Sequence, residues 1–170
     1  MNKLTEQQFL KRLAGIKLLS LDTDGVLTDG GIYFTDDGEE LRKFNVKDGL
    51  GIKRAQASGL KVAIITSSST PSISHRGRRL GVDYVFLDCE DKLSTLVKIC
   101  DELRIDLNQV GHVGDDLNDI PVLEAVGCPM TVSDASDEVL SSALFVTKRK
   151  GGEGAVREIC DLIISIKKQH

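Results

Sequence analysis

The sequence predicts an α/β fold in three layers: a parallel β-sheet with helices on both faces and a β-hairpin inserted after the first strand. Two observations carry this. Short apolar runs rich in Val, Ile and Leu alternate with amphipathic helical segments along almost the whole chain, which is the pattern of successive βαβ units. Several of these runs end in polar residues, above all at Asp22-Thr23-Asp24-Gly25 after the run Ile16-Lys17-Leu18-Leu19-Ser20-Leu21. In an open α/β sheet the carboxyl ends of the strands form the ligand-binding edge.

Taken in order, residues 5–14 read as a short amphipathic helix capped by Thr5, with Phe9, Leu10 and Leu13 on one face. The first strand covers 16–22. Gly30 and Gly31 follow, then two β-like runs, Ile32-Tyr33-Phe34 and Glu40 to Val46, separated by Asp36-Asp37-Gly38. An Asp-Gly turn between such runs predicts a hairpin over about 31–46. Asp48 is the expected cap of a helix through about Ser58, ended by Gly59. Lys61 to Thr66 is an apolar, β-branched strand. Pro71 suits the first turn of a helix that runs to Leu80 and stops at Gly81. Tyr84-Val85-Phe86 is the next strand, and 91–103 a helix with Leu93, Leu96, Val97 and Cys100 inward. Then come a strand at Gln109 to Val113, a helix from about Asn118 to Ala125 and a strand at Pro129 to Val132. A short helix near 136–141, a strand at 143–147 and a last helix from Glu153 or Gly154 to about Lys167 complete the pattern. No repeat, linker or low-complexity tract interrupts it, so a single domain over 1–170 is expected.

A chain of 170 residues can bury a core without disulfides. Cys89, Cys100, Cys128 and Cys160 form no C-x-x-C pair and have no His at metal spacing. Reduced, mostly buried thiols are therefore expected, as in a cytoplasmic protein. Met1 to Glu6 lacks an apolar signal core, and no uncharged apolar run approaches a membrane span, so no membrane partner is expected. A net charge of −4 argues against broad nucleic-acid binding, and 4% aromatic residues with no Trp against base-stacking platforms. A small anionic substrate stays compatible with this charge, because a site can be locally positive on an acidic protein.

Four polar groups fall in order along the expected carboxyl edge. Asp22 and Asp24 end the first strand, and Thr66, followed by Ser67, ends the second. Lys92 opens a later helix. Asp115, Asn118 and Asp119 follow the strand that ends at Val113, in Gly114-Asp115-Asp116-Leu117-Asn118-Asp119. A nucleophilic carboxylate beside a second carboxylic acid can form and then break an acyl-phosphate. Carboxylate and phosphate repel each other until a cation lies between them.

Each group also has a plainer reading. D-x-D-G opens many calcium loops, although Val26 and Leu27 break the regular acidic spacing such a loop needs. Asp115 and Asp119 could merely cap the next helix, as Asp116 or Asn118 is expected to do. Thr66 could satisfy strand-end backbone groups, and Lys92 could be an ordinary exposed helix lysine. His75 and His112 stand in no motif and read as structural. Lys148-Arg149-Lys150 reads as a solvated patch or, with the neighbouring glycines, as a mobile anion-gripping tail over about 148–157.

In order and spacing these motifs resemble the haloacid dehalogenase (HAD) superfamily of phosphohydrolases. Within it the chain resembles the capless phosphatases of 3-deoxy-D-manno-octulosonate 8-phosphate (KDO 8-phosphate) and of nine-carbon, sialic-acid-type 9-phosphates. The likeness runs from about Leu18 to Leu162. It includes Gly25-Val26-Leu27-Thr28-Asp29-Gly30-Gly31, Phe44-Asn45-Val46-Lys47-Asp48-Gly49 and Gly151-Gly152-Glu153-Gly154-Ala155-Val156-Arg157-Glu158.

The resemblance implies a Rossmann-like, HAD-like domain that hydrolyses a phosphate monoester of an acidic sugar with Mg²⁺. By it, Asp22 is the nucleophile that becomes an aspartyl-phosphate. Asp24 is the acid that protonates the leaving oxygen and the base that then activates water. Asp22, the backbone carbonyl of Asp24, and Asp115 would hold Mg²⁺, an oxygen-only set that suits this hard cation. Asp119 would support the metal or Lys92, and Lys92 would neutralise charge on the nucleophile and phosphoryl group. Thr66, the Ser67 N–H and Asn118 form the substrate-binding set. A carboxylate at position 24 fits ester hydrolysis, although a phosphomutase could also use Asp there.

Two departures from the family pattern stand out. Ser67-Ser68 replaces the Gly-Arg usual in the octulosonate branch and the Gly-Glu of a sialic-type branch, which leaves the sugar open. Thr23 replaces the usual Val. A broad small-metabolite phosphatase also fits the motifs. So does a non-catalytic oligomerisation domain of the kind fused to sugar cytidylyltransferases, except that such a domain is expected to lose Asp22, Asp24, Lys92 or Asp115. The 44 positions from Asp22 to Thr66 and the 26 from Thr66 to Lys92 leave no room for a large cap domain. Something must still exclude water from the site, and a lone hairpin is a poor solitary structure. The resemblance implies a homotetramer in which hairpins pack together and a neighbouring subunit completes each site.

Overall fold

The computed structural model describes residues 6–169. Helix α1 (Glu6–Gly15) leads into β1 (Leu18–Leu21), the small strands β2 (Tyr33–Phe34) and β3 (Glu40–Leu41), and α2 (Val46–Ala57). Then follow β4 (Lys61–Ile65), α3 (Pro71–Leu80), β5 (Tyr84–Phe86), α4 (Lys92–Leu103) and β6 (Val110–Val113). The chain ends with α5 (Ile120–Ala125), β7 (Cys128–Thr131), α6 (Asp137–Ser142), β8 (Phe145–Val146) and α7 (Ala155–Lys167). The six strands other than β2 and β3 form one sheet in the order β5-β4-β1-β6-β7-β8, and every pairing in it is parallel. The central position of β1 puts Asp22 and Asp24 at the middle of the carboxyl edge.

Alternation along the strands builds two cores. Leu19 and Leu21 of β1, with Val62 and Ile64 of β4, pack against residues of α1, α2, α3 and α7. Leu18, Ala63 and Ile65 point the other way, to Leu96, Ile99 and Val122 of α4 and α5. Side chains of a strand alternate between faces, so a sheet covered on both sides reads as a continuous apolar run. That is why Leu18–Leu21 is buried at every position.

Several boundaries differ from the sequence expectation. The hairpin expected over 31–46 keeps only two pairs, Tyr33 with Leu41 and Phe34 with Glu40. Beyond Leu41 the chain turns inward. Helix α2 is capped by Asn45, whose side chain accepts from the Lys47 N–H at 2.8 Å, and not by Asp48. Asp48 is buried one turn later and accepts from the Arg157 N–H at 2.8 Å, so it caps the start of α7 from across the interface between the two helices. Val97 is 37% exposed rather than inward, while Lys92, Leu96, Ile99 and Cys100 share the buried face of α4. Asn118 lies in a single 3₁₀ turn (Leu117–Asp119) before α5. Thr5, the expected cap of α1, lies outside the described residues. All four cysteines are buried and unpaired, and burial pushes the thiols of Cys100, Cys128 and Cys160 up to about 11, 12 and 12. No helix among the described residues is long and apolar enough to cross a membrane.

Candidate active site

The loop after β1 is a tight anchor. The Asp22 N–H still donates to Val113 of β6 at 2.9 Å, and the N–H groups of Val26, Leu27 and Thr28 all donate to the Thr23 carbonyl at 2.8–3.2 Å. This turn carries Asp24 forward while Asp22 stays in the sheet. Gly25 sits at φ +79°, and a Cβ there would meet Asp115 Oδ2 at 1.9 Å. Only glycine lets the β1 and β6 loops come this close. Gly151 presses on the same loop from α7's side, where a Cβ would meet the Gly25 carbonyl at 1.7 Å, and the Gly152 N–H donates to Val26 at 3.0 Å. Lys148 and Arg149, just before them, line a second cleft with Lys47 and Arg157.

Lys92 is the first residue of α4, where Asp91 caps the helix by accepting from the Ser94 N–H at 2.9 Å. Its side chain, 1% exposed, runs to Asp22 Oδ2 at 3.0 Å and Asp119 Oδ1 at 2.7 Å. Asp119 is fully buried. It pairs also with His112 Nε2 at 3.2 Å and accepts from the Asp115 N–H at 3.2 Å, while His112 Nδ1 lies 3.1 Å from Ser20 Oγ. Both carboxylate oxygens of Asp119 are therefore taken by this chain's own groups.

The electrostatics follow. Burial first, and then the charge of Asp119, push the Asp22 carboxyl up to about 6 against the pull of Lys92. Burial and the charges of Asp22 and Asp119 push Asp115 up to about 7. Burial alone would raise Asp119 too, but His112 and Lys92 outweigh it and hold this carboxyl down at about 2. Burial would lower Lys92, but Asp22 and Asp119 hold it above the usual lysine range. Asp22, Asp115 and Asp119 each bring a carboxylate oxygen to within 4.8 Å of the others.

A cleft of about 570 Å³ opens over this edge, lined among others by Asp22, Asp24, Thr66, Ser67, Asp115 and Asn118. All six are residues singled out in the sequence. Lys92 and Asp119, the other two, are buried beside Asp22. Asn118 Nδ2 donates to Ser67 Oγ at 3.4 Å, and Thr66 Oγ1 accepts from the Ser68 N–H at 3.2 Å. The Asp116 side chain accepts from the Leu117 N–H at 2.8 Å, as a cap.

His112, read from the sequence as structural, is buried in β6 and supports the charged cluster through Asp119. Two contributors escaped the sequence reading: Arg42 and Glu40, which come from the hairpin. The Arg42 guanidinium donates to Asp24 Oδ1 at 2.8 Å and Oδ2 at 3.3 Å, a contact that no local pattern announces.

The central D-x-D turn, the strand-end hydroxyl, the buried lysine and the acidic β6 loop together define a haloacid dehalogenase-like hydrolase. Residues 89–159 match that family. The chain is 43% identical to the 3-deoxy-D-manno-octulosonate 8-phosphate phosphatase KdsC of Yersinia pestis over 155 residues, 91% of this chain and 83% of the relative. It is equally similar to KdsC of Escherichia coli K12, of which it covers 82%. Within the haloacid dehalogenase-like hydrolases, the chain belongs to the 3-deoxy-D-manno-octulosonate 8-phosphate phosphatase family. The Moraxella catarrhalis phosphatase of that name, solved in complex with magnesium, phosphate and KDO, superposes with a TM-score of 0.94 at 33% identity, over 97% of this chain and 95% of that one. The Yersinia pestis structure superposes at 0.93 with 41% identity, over 95% and 88%.

Proposed function

We propose that this protein is a Mg²⁺-dependent phosphatase that hydrolyses KDO 8-phosphate through an aspartyl-phosphate on Asp22. The observation that carries the reading is the Lys92 ammonium 3.0 Å from Asp22 Oδ2 at the floor of a cleft that Asp24 also lines. Family membership supplies the substrate class. The cleft volume of about 570 Å³ is in the range of small-molecule sites.

The donor set fits the cation. Asp22 and Asp115 are both pushed up by burial and by neighbouring carboxylates, a repulsion that a divalent ion between them would remove. Asp22, Asp115 and the Asp24 backbone carbonyl would hold Mg²⁺, while Asp119 is committed to Lys92 and His112. Bound there, Mg²⁺ supplies the positive charge that lets an anionic phosphate approach a carboxylate.

The chain's own groups do the rest. Asp22 attacks phosphorus, with its carboxylate kept ionised and oriented by Lys92. The Thr66 hydroxyl and the Ser67 N–H hold phosphate oxygens, and Asn118 lies against Ser67 at the rim. Asp24 gives a proton to the departing sugar oxygen, then takes one from the water that opens the acyl-phosphate.

The protein is further proposed to be a cytoplasmic homotetramer. Ile32, Tyr33, Phe34 and Leu41 of the hairpin region and Val46 and Leu50 of α2 are 48–81% exposed, a concentration of apolar surface that supports an interface. In that assembly a neighbour completes each site. The four buried free thiols agree with a reducing compartment. Sedimentation giving only monomer at assay concentration would overturn the assembly.

Ser67-Ser68 favours a second reading. Both line the cleft, and neither brings a charge to select an acidic sugar, so a nine-carbon 9-phosphate or a wider range of small phosphate esters is the alternative. The test is phosphate release, with and without Mg²⁺, from KDO 8-phosphate, two nine-carbon 9-phosphates and common hexose phosphates. Mg²⁺-dependent preference for KDO 8-phosphate is expected. Preference for a nine-carbon ester, or even turnover across the panel, would favour the alternative. No turnover by folded protein would leave a non-catalytic domain.

A further inference from the structure

Asp24 is held by the hairpin more than by its own loop. Its one contact within the loop is with the Thr28 hydroxyl, which donates to Oδ1 at 3.3 Å. The two guanidinium contacts from Arg42 span both carboxylate oxygens, at 2.8 and 3.3 Å. Arg42 itself is nearly inaccessible, at 3% side-chain exposure, against 33% for Asp24. Its third nitrogen donates to Glu40 Oε2 at 3.0 Å. Glu40 Oε2 also accepts from the Thr70 hydroxyl at 2.8 Å, and Thr70 Oγ1 accepts from Ser68 Oγ at 3.1 Å. The chain of contacts thus runs from Asp24, through the end of β3, to Ser68. Asp24 and Ser68 both line the cleft.

We propose that Arg42 is a positioning residue for this reaction: braced by Glu40 and Thr70, its fork sets the direction in which the Asp24 carboxyl meets the leaving oxygen. The inference rests on the reading of Asp24 as the proton-transferring group. Arginine is suited to the task because its planar donors grip both oxygens of a carboxylate at once, whereas an ammonium is a single point of charge. The hairpin then does two things with two surfaces. Ile32, Tyr33 and Phe34 are exposed, while Arg42, just past β3, is buried against the catalytic loop.

The test separates proton transfer from binding and from collapse of the site. A sugar alkoxide needs a proton to leave, but 4-nitrophenolate does not. With the best sugar phosphate of the panel, Arg42→Met should lower kcat by about 10- to 100-fold, less than the roughly 100- to 10,000-fold that the acid–base group itself supplies, because Asp24 is misdirected and not removed. KM should stay within about 3-fold, since binding of ground and transition states is not equally affected. With 4-nitrophenyl phosphate the first burst of nitrophenolate should keep its rate while steady turnover slows, because the second step still needs Asp24. Arg42→Lys should recover part of the loss.

Unchanged sugar-phosphate kcat in Arg42→Met, or a burst that falls in the same proportion as kcat, would overturn the proposal. If Arg42→Met does not fold, Glu40→Gln decides. A smaller loss with the same burst pattern supports the brace, and normal kcat overturns it. Asp24→Asn is run beside them. If it turns over normally, the reading of Asp24 fails and the inference with it. If it loses sugar-phosphate turnover while Arg42→Met does not, only the role of Arg42 fails.

Discussion

The Lys92 ammonium lies 2.7 Å from Asp119 Oδ1, with both side chains buried. Asp119 is the post on which the charged floor of the cleft is built. It orients the Lys92 ammonium that faces Asp22, holds the N–H of Asp115, and pairs with His112 of β6, the strand that leads into its own loop. Neutralising it removes the nearer of the two carboxylates that meet the buried Lys92 ammonium and the charged acceptor of His112.

Asp119→Asn should therefore destabilise the fold by about 3–5 kcal/mol at pH 7, as removal of one partner from a buried ion pair does. Its carboxyl is held at about 2, below the ordinary 3.8. The stabilisation is then present above pH about 4 and lost as pH falls toward 2. Urea unfolding at pH 7 and near pH 3 reads both effects. An unchanged midpoint at pH 7 would remove Asp119 from this role.

Asp22→Asn should abolish phosphate release, by roughly 1,000-fold or more as for loss of a nucleophile, and leave the protein folded. The amide is nearly isosteric, and Lys92 keeps Asp119 as its partner. Phosphate release and a melting curve on the same sample test this. Residual turnover near the native level would mean that another group attacks phosphorus.

Asp115→Asn should stabilise the metal-free protein at pH 8. A carboxyl raised from 3.8 to about 7 is favoured in its protonated form by the fold. Stability is therefore lost as pH rises from about 4 to 7. In EDTA the variant should melt about 2–5 °C higher than the native protein at pH 8, with no gain near pH 4. Mg²⁺ should raise the melting temperature of the native protein, because it binds only the folded state, and do so much less for the variant. Equal stabilisation of both by Mg²⁺ would place the ion elsewhere.

Thr23→Val should stabilise the fold by about 1 kcal/mol, since a buried hydroxyl left without a partner carries a desolvation cost of about that size or more. Thr23 is fully buried, and its Oγ1 has no hydrogen-bond partner among the described residues. Valine has the same shape, so kcat should not change. Chemical denaturation and a standard assay check the two halves. A loss of stability would show that the hydroxyl is satisfied in solution.

Much of this was legible along the chain because the signals are local. Pro71 and Gly81 bracket α3 as expected, and the apolar runs mark every strand of the large sheet. The misjudged places are those where a distant segment decides. Asp48 has the composition of a cap, but Asn45 caps α2 because Asp48 is drawn to the start of α7. Val97 fits an apolar stripe on α4, yet the buried stripe starts at Lys92 and runs through Leu96, Ile99 and Cys100, with the lysine's charge met by Asp22 and Asp119. A lysine facing inward is invisible to a hydrophobic pattern.

The sequence by itself determined the layered sheet, the order of its strands' polar ends and the acidic, hydroxyl and lysine side chains that gather at or beside the cleft, but not Arg42 or Glu40. Each of these follows from short-range patterning: alternation, turn residues, and a polar group where an apolar run stops. Only the tertiary structure decided how those groups share their charges. Asp119 is reached by donors from β6, α4 and its own loop: His112 and Lys92 meet its Oδ1, and the Asp115 N–H its Oδ2. That the hairpin grips Asp24 through Arg42 is likewise a matter of contact across 18 residues of chain, set by packing in three dimensions rather than by spacing in one.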